Sequence, residues 1–444
     1  MNAALPDDVF GAIDTGNTAW VIVSAALVLL MTPALAFFYG GLTRAKAVLN
    51  MMMMSFGALG AVTVVYVLWG FSMSFGNTLT GSGDIAGIFS NPFALFGSDQ
   101  LTQAREVGDA THVVVWGTTG IPALVFMAFQ LTFAVLTVAL ISGAVAERVK
   151  FSTWIVFAVA FSTIVYFPLA HMVWGGGLLS GSEDGIAAWM FGTTDGAATV
   201  APIDFAGGTV VHINAGIAAL VLALVVGQRR GFGRTAFRPH NIPFVMLGAA
   251  LLWFGWFGFN AGSELAADAT AGLVWINTVA GTAAAMVGWL AVEWFRDKHA
   301  TSVGAASGVV AGLVAITPAC GALTPLGSLL LGLVAGGLSA LAIGLKYRFG
   351  FDDSLDVVGV HLVSGLWGTI GIGLLAKDTG LLYGHDARQL AVQTVIAVVA
   401  LAFTGVLTAA IAFALKPLGW RVDREAEFSG IDAAEHAESA YETA

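Results

Sequence analysis

Two short stretches carry the residues best suited to chemistry in this chain, VHINAG at 211–216 and VHLVSG at 360–365, which share the pattern V-H-x-x-x-G. Each is preceded by a nearby aspartate, Asp204 or Asp356. A neutral imidazole has one N–H donor and one acceptor nitrogen. His212 and His361 could therefore hydrogen-bond to each other and still offer polar ring edges to a small ligand. One histidine in an apolar segment is most simply a helix–helix hydrogen-bonding residue. A matched pair points instead to a polar path, because ionisable groups inside a membrane face a cavity or a partner. Asp204 reads as a cap accepting backbone N–H groups at the start of its helix, and as an anion that favours a nearby cation. Asp356 reads as the cap of the later helix. Gly207, Gly208, Gly216, Gly359 and Gly365 would let helices approach closely.

The elements that must hold these residues follow from composition. The 444 residues are 57% hydrophobic and only 10% charged, with 56 glycines, which excludes a soluble globular domain and predicts an all-α polytopic membrane protein. Stretches of about 20 apolar residues give about eleven spans, at 18–40, 50–76, 119–144, 152–174, 205–227, 243–263, 272–295, 303–319, 325–345, 356–376 and 390–416. Of the 18 basic residues only Arg105, Lys377 and Arg388 fall on one side, and the rest, from Arg44 and Lys46 to Arg421 and Arg424, fall on the other. Basic loops stay cytoplasmic, so the N-terminus is expected outside and the C-terminus inside. Met1 to Asn17 has no Lys or Arg but carries Asp7, Asp8 and Asp14, so the first span is expected to remain as a helix rather than to be cleaved.

His212 lies in the fifth span and His361 in the tenth. With an odd number of spans per unit, the two copies must cross the membrane in opposite directions, an arrangement that places sites near the midplane at the repeat interface. The chain thus divides into an extracellular segment (1–17), a first five-helix repeat (18–227), a cytoplasmic linker (228–242), a second repeat (243–376), a loop with a final helix (377–416) and a cytoplasmic tail (417–444). The outside loops 77–118 and 175–203 read as coverings. The single cysteine, Cys320, reads as a small hydrophobe, and the net charge of −10 as solubility of loops and tail. Glu147 and Arg148 are expected to pair locally or with a neighbouring loop. No metal-spaced cluster, nucleophile elbow or phosphate loop is present, so neither an enzyme nor a cofactor or metal site is expected, and nothing points to nucleic acid.

FYGGLTRAKAVLN (38–50), AFQLTFA (128–134), SGAVAERVKFS (142–152), AHMVWGGGLL (170–179), DFAGGTVVHINAG (204–216), GWFGFNAGS (255–263) and DVVGVHLVSGLWG (356–368) together resemble the bacterial ammonium transporter family, within the ammonium transporter and Rhesus protein superfamily. The resemblance keeps motif order over nearly the whole chain. It implies eleven spans with the N-terminus out, a homotrimer with one pore per subunit in the plasma membrane, and passage of ammonium. It also implies pore histidines at His212 and His361, a phenylalanine gate at Phe133 and Phe259, a recruitment site at Phe129, Trp174 and Ser263, and a key aspartate at Asp204. Leu355 stands where the family often has a cysteine, and the loop between Trp174 and Asp204 is long. The tail string REAEFSGIDAAEHAESAYE resembles the family's cytoplasmic tail, which contacts the neighbouring subunit, and implies a PII-type signalling protein as partner. The rival readings are an ammonium sensor, against which no signalling domain follows residue 416, and a Rhesus-type gas channel, against which Trp174 speaks.

An ammonium ion resists a low-dielectric interior by at least several kcal/mol. Trp174, with Phe129 or Phe133 nearby, could offset about 0.5–2 kcal/mol by cation–π attraction, and the Ser263 hydroxyl could accept an N–H bond. Burial then favours loss of the proton.

Overall fold

The computed structural model describes residues 5–81 and 83–441. Among the described residues ten helices are long and apolar enough to cross a membrane: α1 Thr15–Leu42, α2 Ala45–Thr80, α3 Ala123–Val145, α4 Phe151–Trp174, α5 Gly208–Val226, α6 Ile242–Glu264, α7 Ala269–Asp297, α9 Pro325–Phe349, α10 Val358–Leu375 and α11 Arg388–Ala414. A shorter apolar helix, α8 Ser302–Ile316, lies where the eighth span was expected and stops three residues early. Pro318 explains the stop, since proline lacks an N–H and disfavours helix in the residue before it. In hydrocarbon every backbone polar group must be satisfied within the segment, which is why these apolar runs are helical. Their starts carry the expected capping chemistry. The side chains of Asp14, Asn241, Asp268, Thr301 and Thr324 accept the N–H of Asn17, Phe244, Ala271, Gly304 and Gly327.

The bundle has a loop-rich end, where α1 begins, and an arginine-rich end. The loop-rich end adds short antiparallel strands to the helical fold: Phe10–Gly11 pairs with Ala110–Val114, which pairs with Ala104–Val107, and Asp84–Ile85 pairs with Phe89–Ser90. Strands this short have no readable period in the sequence.

Helices α5 and α10 meet at their histidines. A Cβ on Gly216 would lie 2.6 Å from Leu362 Cα, and one on Gly365 would lie 3.2 Å from Ile213 N and 3.1 Å from His212 Cβ. Each glycine sits four residues after its own histidine and faces the residue just after the other one. That reciprocity holds only for antiparallel segments. The glycine of V-H-x-x-x-G therefore makes room for the opposite backbone, as glycines do at membrane helix interfaces. In both helices the turn that carries the histidine, Gly208–Ile213 and Val358–Leu362, is wound more widely than an α-helix. Such π-turns are rare and cluster at functional positions.

At the arginine-rich end, Glu147 and Arg148 do not pair with each other. Glu147 holds Arg44 at 2.8 Å and lies 3.6 Å from Arg229, which also pairs with Asp352 at 2.8 Å. Arg148, wholly buried, donates to the carbonyls of Ala144, Ala146, Gly227 and Asp352 and to the Ser354 hydroxyl. The tail folds back here as α12 Arg424–Ser429 and α13 Ile431–His436. Its Asp432 accepts the backbone N–H groups of Leu49 and Asn50, and its Glu435 that of Phe151, so two tail carboxylates sit at the N-terminal ends of α2 and α4.

Candidate functional site

The site begins at the loop-rich end with a cavity of about 170 Å³ lined by Phe75, Trp116, Phe126, Gln130, Trp174, Phe205, Ser263 and Leu265. Trp174 ends α4, and its indole Nε1 donates to the Asp204 carbonyl at 2.9 Å. Ser263 lies in the last turn of α6, and its hydroxyl donates to the Phe259 carbonyl at 2.8 Å. Its oxygen lone pairs are left to accept from another group. Phe129 is placed differently from the expectation: it is fully buried, does not line the cavity, and stands edge-on to Phe133 at 4.8 Å. The cavity wall on that side is instead Trp116 stacked on Phe126, 3.8 Å between centroids and 7° between planes. Phe126, Gln130 and Phe133 follow i, i+4, i+7 spacing on α3, a signal that could have found this face.

Below the cavity the rings form a column. Trp174 meets Phe133 edge-on at 6.1 Å, Phe133 stacks on Phe259 at 4.2 Å, Phe259 lies 6.1 Å from His212, and His212 lies 5.4 Å from His361. Phe133 and Phe259, both buried, meet face to face. The two imidazoles face each other through Nδ1 atoms 3.3 Å apart. His212 also stacks on Trp256 at 5.4 Å, whose Nε1 donates to Thr317 Oγ1 at 2.8 Å. Trp256 sits three residues before Phe259, within the motif 255–263, and was not singled out from the sequence. Among the described residues, the buried His212 Nε2 has no hydrogen-bond partner.

Asp204 caps the entry to α5 with unusual completeness. Its two oxygens accept the N–H groups of Gly207, Gly208, Thr209 and Val210 at 3.1, 2.6, 3.0 and 3.1 Å. Burial pushes its carboxyl up to about 6, against the lowering effect of those four donors. Gly207 adopts φ 117°, which favours glycine and lets its carbonyl accept from Val211 and His212.

Asp356 is not the cap of α10. The carboxylate that accepts the N–H groups of Val357 and Val358, at 3.0 and 2.7 Å, belongs to Asp353, while Asp356 pairs with Lys346 at 2.7 Å. The reason is reach: Asp356, at φ 63°, adjoins the first turn, whereas Asp353 lies far enough back to fold over it. Asp353 stands eight residues before His361, the same spacing as Asp204 to His212. That repeated spacing was the missed signal. Burial, with the nearby Asp356 charge, pushes the Asp353 carboxyl up to about 6. Among the described residues no three potential metal ligands converge.

Residues 19–441 match the family model of the ammonium transporter family. The chain belongs to that family. An ammonium transporter of Mycobacterium tuberculosis is 52% identical over 456 residues, covering 98% of this chain and 92% of the relative. One of Aquifex aeolicus is 44% identical over 437 residues, covering 97% and 94%. Among solved structures, Mep2 of Saccharomyces cerevisiae matches with TM-score 0.79 at 28% identity, covering 97% of this chain and 94% of that one. A sensor Amt protein matches with TM-score 0.81 at 28% identity, covering 95% and 98%. This member of the ammonium transporter family is thus a multi-pass integral protein of the cell membrane, and its relatives are transporters.

Proposed function

We propose that this ammonium transporter recruits the cation at the cavity beside Trp174 and Ser263, strips one proton, and passes ammonia between Phe133 and Phe259 along His212 and His361. The observation that carries this reading is the succession of ring contacts from Trp174 to His361, which ends on two imidazoles. At the cavity, the indole face offers cation–π attraction of about 0.5–2 kcal/mol. The Ser263 oxygen accepts an N–H bond, and Phe129 backs the gate ring Phe133. Deeper burial disfavours a charged amine, so the ammonium gives its proton to water in the entrance cavity before the gate. Ammonia then finds a hydrogen-bond partner in the unpaired His212 Nε2. Potassium has no proton to leave behind and is excluded. The proton follows through the facing Nδ1 atoms, which makes transport electrogenic and responsive to membrane potential.

With α8 as a span the chain crosses eleven times, the loop-rich end outside and the arginine-rich end in the cytoplasm, as basic loops require. In the same reading Asp204 and Asp353 hold the two histidine turns, three chains form a homotrimer, and the docked tail offers a PII-type signalling protein its contact surface. The similarity to a sensor Amt protein keeps a sensing role as the second reading. The deciding experiment records current from purified protein in liposomes on an ammonium jump. Sustained current that scales with ammonium and is blind to potassium supports transport, and binding without current supports the sensor.

A further inference from the structure

His171 stands three residues before Trp174 on α4, wholly buried, and both its ring nitrogens are engaged. Nδ1 lies 3.1 Å from the Ser74 carbonyl oxygen on α2, which can only accept, so Nδ1 carries a proton. Nε2 lies 2.6 Å from Asp84 Oδ1, in the short hairpin of the loop after α2. With Nδ1 already protonated, lone pairs would oppose each other along that line unless a second proton sits on it. The second oxygen of Asp84 accepts the Gly87 N–H at 3.0 Å, so the carboxylate is oriented from both sides. Asp184, which lines the same surface cavity as Asp84, adds a further carboxylate nearby.

The glycines that follow Trp174 make this arrangement possible. A Cβ on Gly175 would lie 2.2 Å from the Ser74 carbonyl oxygen and 2.7 Å from His171 Nδ1. One on Gly177 would lie 2.2 Å from the Gly87 carbonyl oxygen and 3.0 Å from the His171 ring. The Gly175 and Gly177 N–H groups both bond back to the His171 carbonyl, and Asn77 donates to the Gly175 carbonyl at 3.0 Å. The backbone carrying Trp174 is therefore fixed immediately before and after the ring, to α2 on one side and to the hairpin on the other. Its side chain is held by the bond to the Asp204 carbonyl and by the edge-on contact with Phe133.

We propose that His171 and Asp84 form a proton-bridged positioning pair that sets the Trp174 ring over the entrance cavity. The inference rests on the reading that Trp174 recruits ammonium. Asp84 is the handle for a test, because its side chain is 46% exposed and its loss leaves no large void. The concentration dependence of ammonium current is measured in liposomes for wild type, Asp84→Ala, Trp174→Leu and the double variant, at matched protein. Asp84→Ala is expected to raise the half-saturating concentration roughly threefold or more, with the maximal current kept, and to add nothing in the Trp174→Leu background. Asp84→Asn, whose amide can still donate to Nε2, should return that value to within about twofold of wild type. An Asp84→Ala shift of equal size in both backgrounds, no shift, a fall in maximal current alone, or an Asn variant no better than Ala overturns the positioning pair. Unaltered half-saturation in Trp174→Leu overturns the recruitment reading, and this inference with it.

Discussion

The two halves repeat one device in different surroundings. In each, an aspartate eight residues before a histidine caps a widened helical turn, and a glycine four residues after the histidine receives the opposite backbone. Around Asp204 lie Trp174, Phe205 and the aromatic cavity, and its oxygens hold four N–H groups. Around Asp353 lie Asp356 and Lys346, and its oxygens hold two N–H groups. What the halves share is the scaffold that brings two imidazoles together. In the reading proposed here, recruitment of a cation belongs to the aromatic side, where Trp174 lines a cavity and also meets Phe133 of the ring column.

The strongest way to break this comparison is at the histidines, where the halves are most alike. His212→Ala should reduce ammonium current about tenfold or more, equivalent to about 1.4 kcal/mol or more in the barrier, without admitting potassium. His212→Asp places a carboxylate in a low-dielectric path where Coulomb attraction is poorly screened, so potassium should pass. The same pair of substitutions at His361 should behave alike if the two rings work as one relay. Wild-type ammonium current and potassium exclusion in all four variants would leave the histidines as packing residues only.

The glycines sharpen the comparison, because the two are not equally tight. A Cβ on Gly216 meets Leu362 backbone at 2.6 Å, where nothing can swing aside, whereas one on Gly365 comes no closer than 3.1 Å to His212 Cβ. Overpacking of this kind costs about 1–3 kcal/mol. Gly216→Ala should therefore lower the thermal midpoint in detergent and cut current, and Gly365→Ala should do less of both. Equal effects, or the reverse order, would show that the helices can slide apart.

The bundle was legible because hydrocarbon thickness imposes its length on the sequence: each apolar run of bilayer length became a helix within a few residues of its expected ends, apart from α2, whose helix begins and ends several residues outside the run. The column was legible only in part. His212, His361, Phe133 and Phe259 sit in line, but family resemblance gives a position and not the wall it faces, so Phe129 proved to lie behind Phe133. Trp116 joins the cavity across the turn at Ile121 and Pro122, and no helical period links a loop residue to Phe126. Asp356 is the aspartate nearest the second motif, and nearness is a poor guide to the cap. Spacing from the histidine, which is what the folded turn conserves between the halves, picks the right carboxylate.

Removing the caps should separate the halves again. Asp204→Ala orphans four N–H groups and Asp353→Ala two, and a buried donor left unsatisfied costs about 1–3 kcal/mol. The first should lower the thermal midpoint further than the second. Asp356→Ala, which removes only an ion pair to Lys346, should lower it least. Asp356→Ala as damaging as Asp353→Ala would return the capping role to Asp356.

The smallest expected effect is the pH dependence of that stability. Asp204 and Asp353 each titrate at about 6 in the folded chain, above the ordinary aspartate value of 3.8. Between those values the folded state binds a proton that the unfolded chain has already released. Stability carried by these two groups therefore falls as pH rises from about 4 to about 6 and is flat above it. Their ionised forms are the ones the N–H groups hold at neutral pH, so the loss is a partial offset to the cap and not its failure. Asp204→Asn and Asp353→Asn keep an acceptor oxygen while removing the titration, and each should flatten the slope of thermal midpoint against pH over that window. A slope unchanged in both variants would mean that other carboxylates, such as Asp432 of the tail, whose carboxyl burial also pushes up, carry it instead.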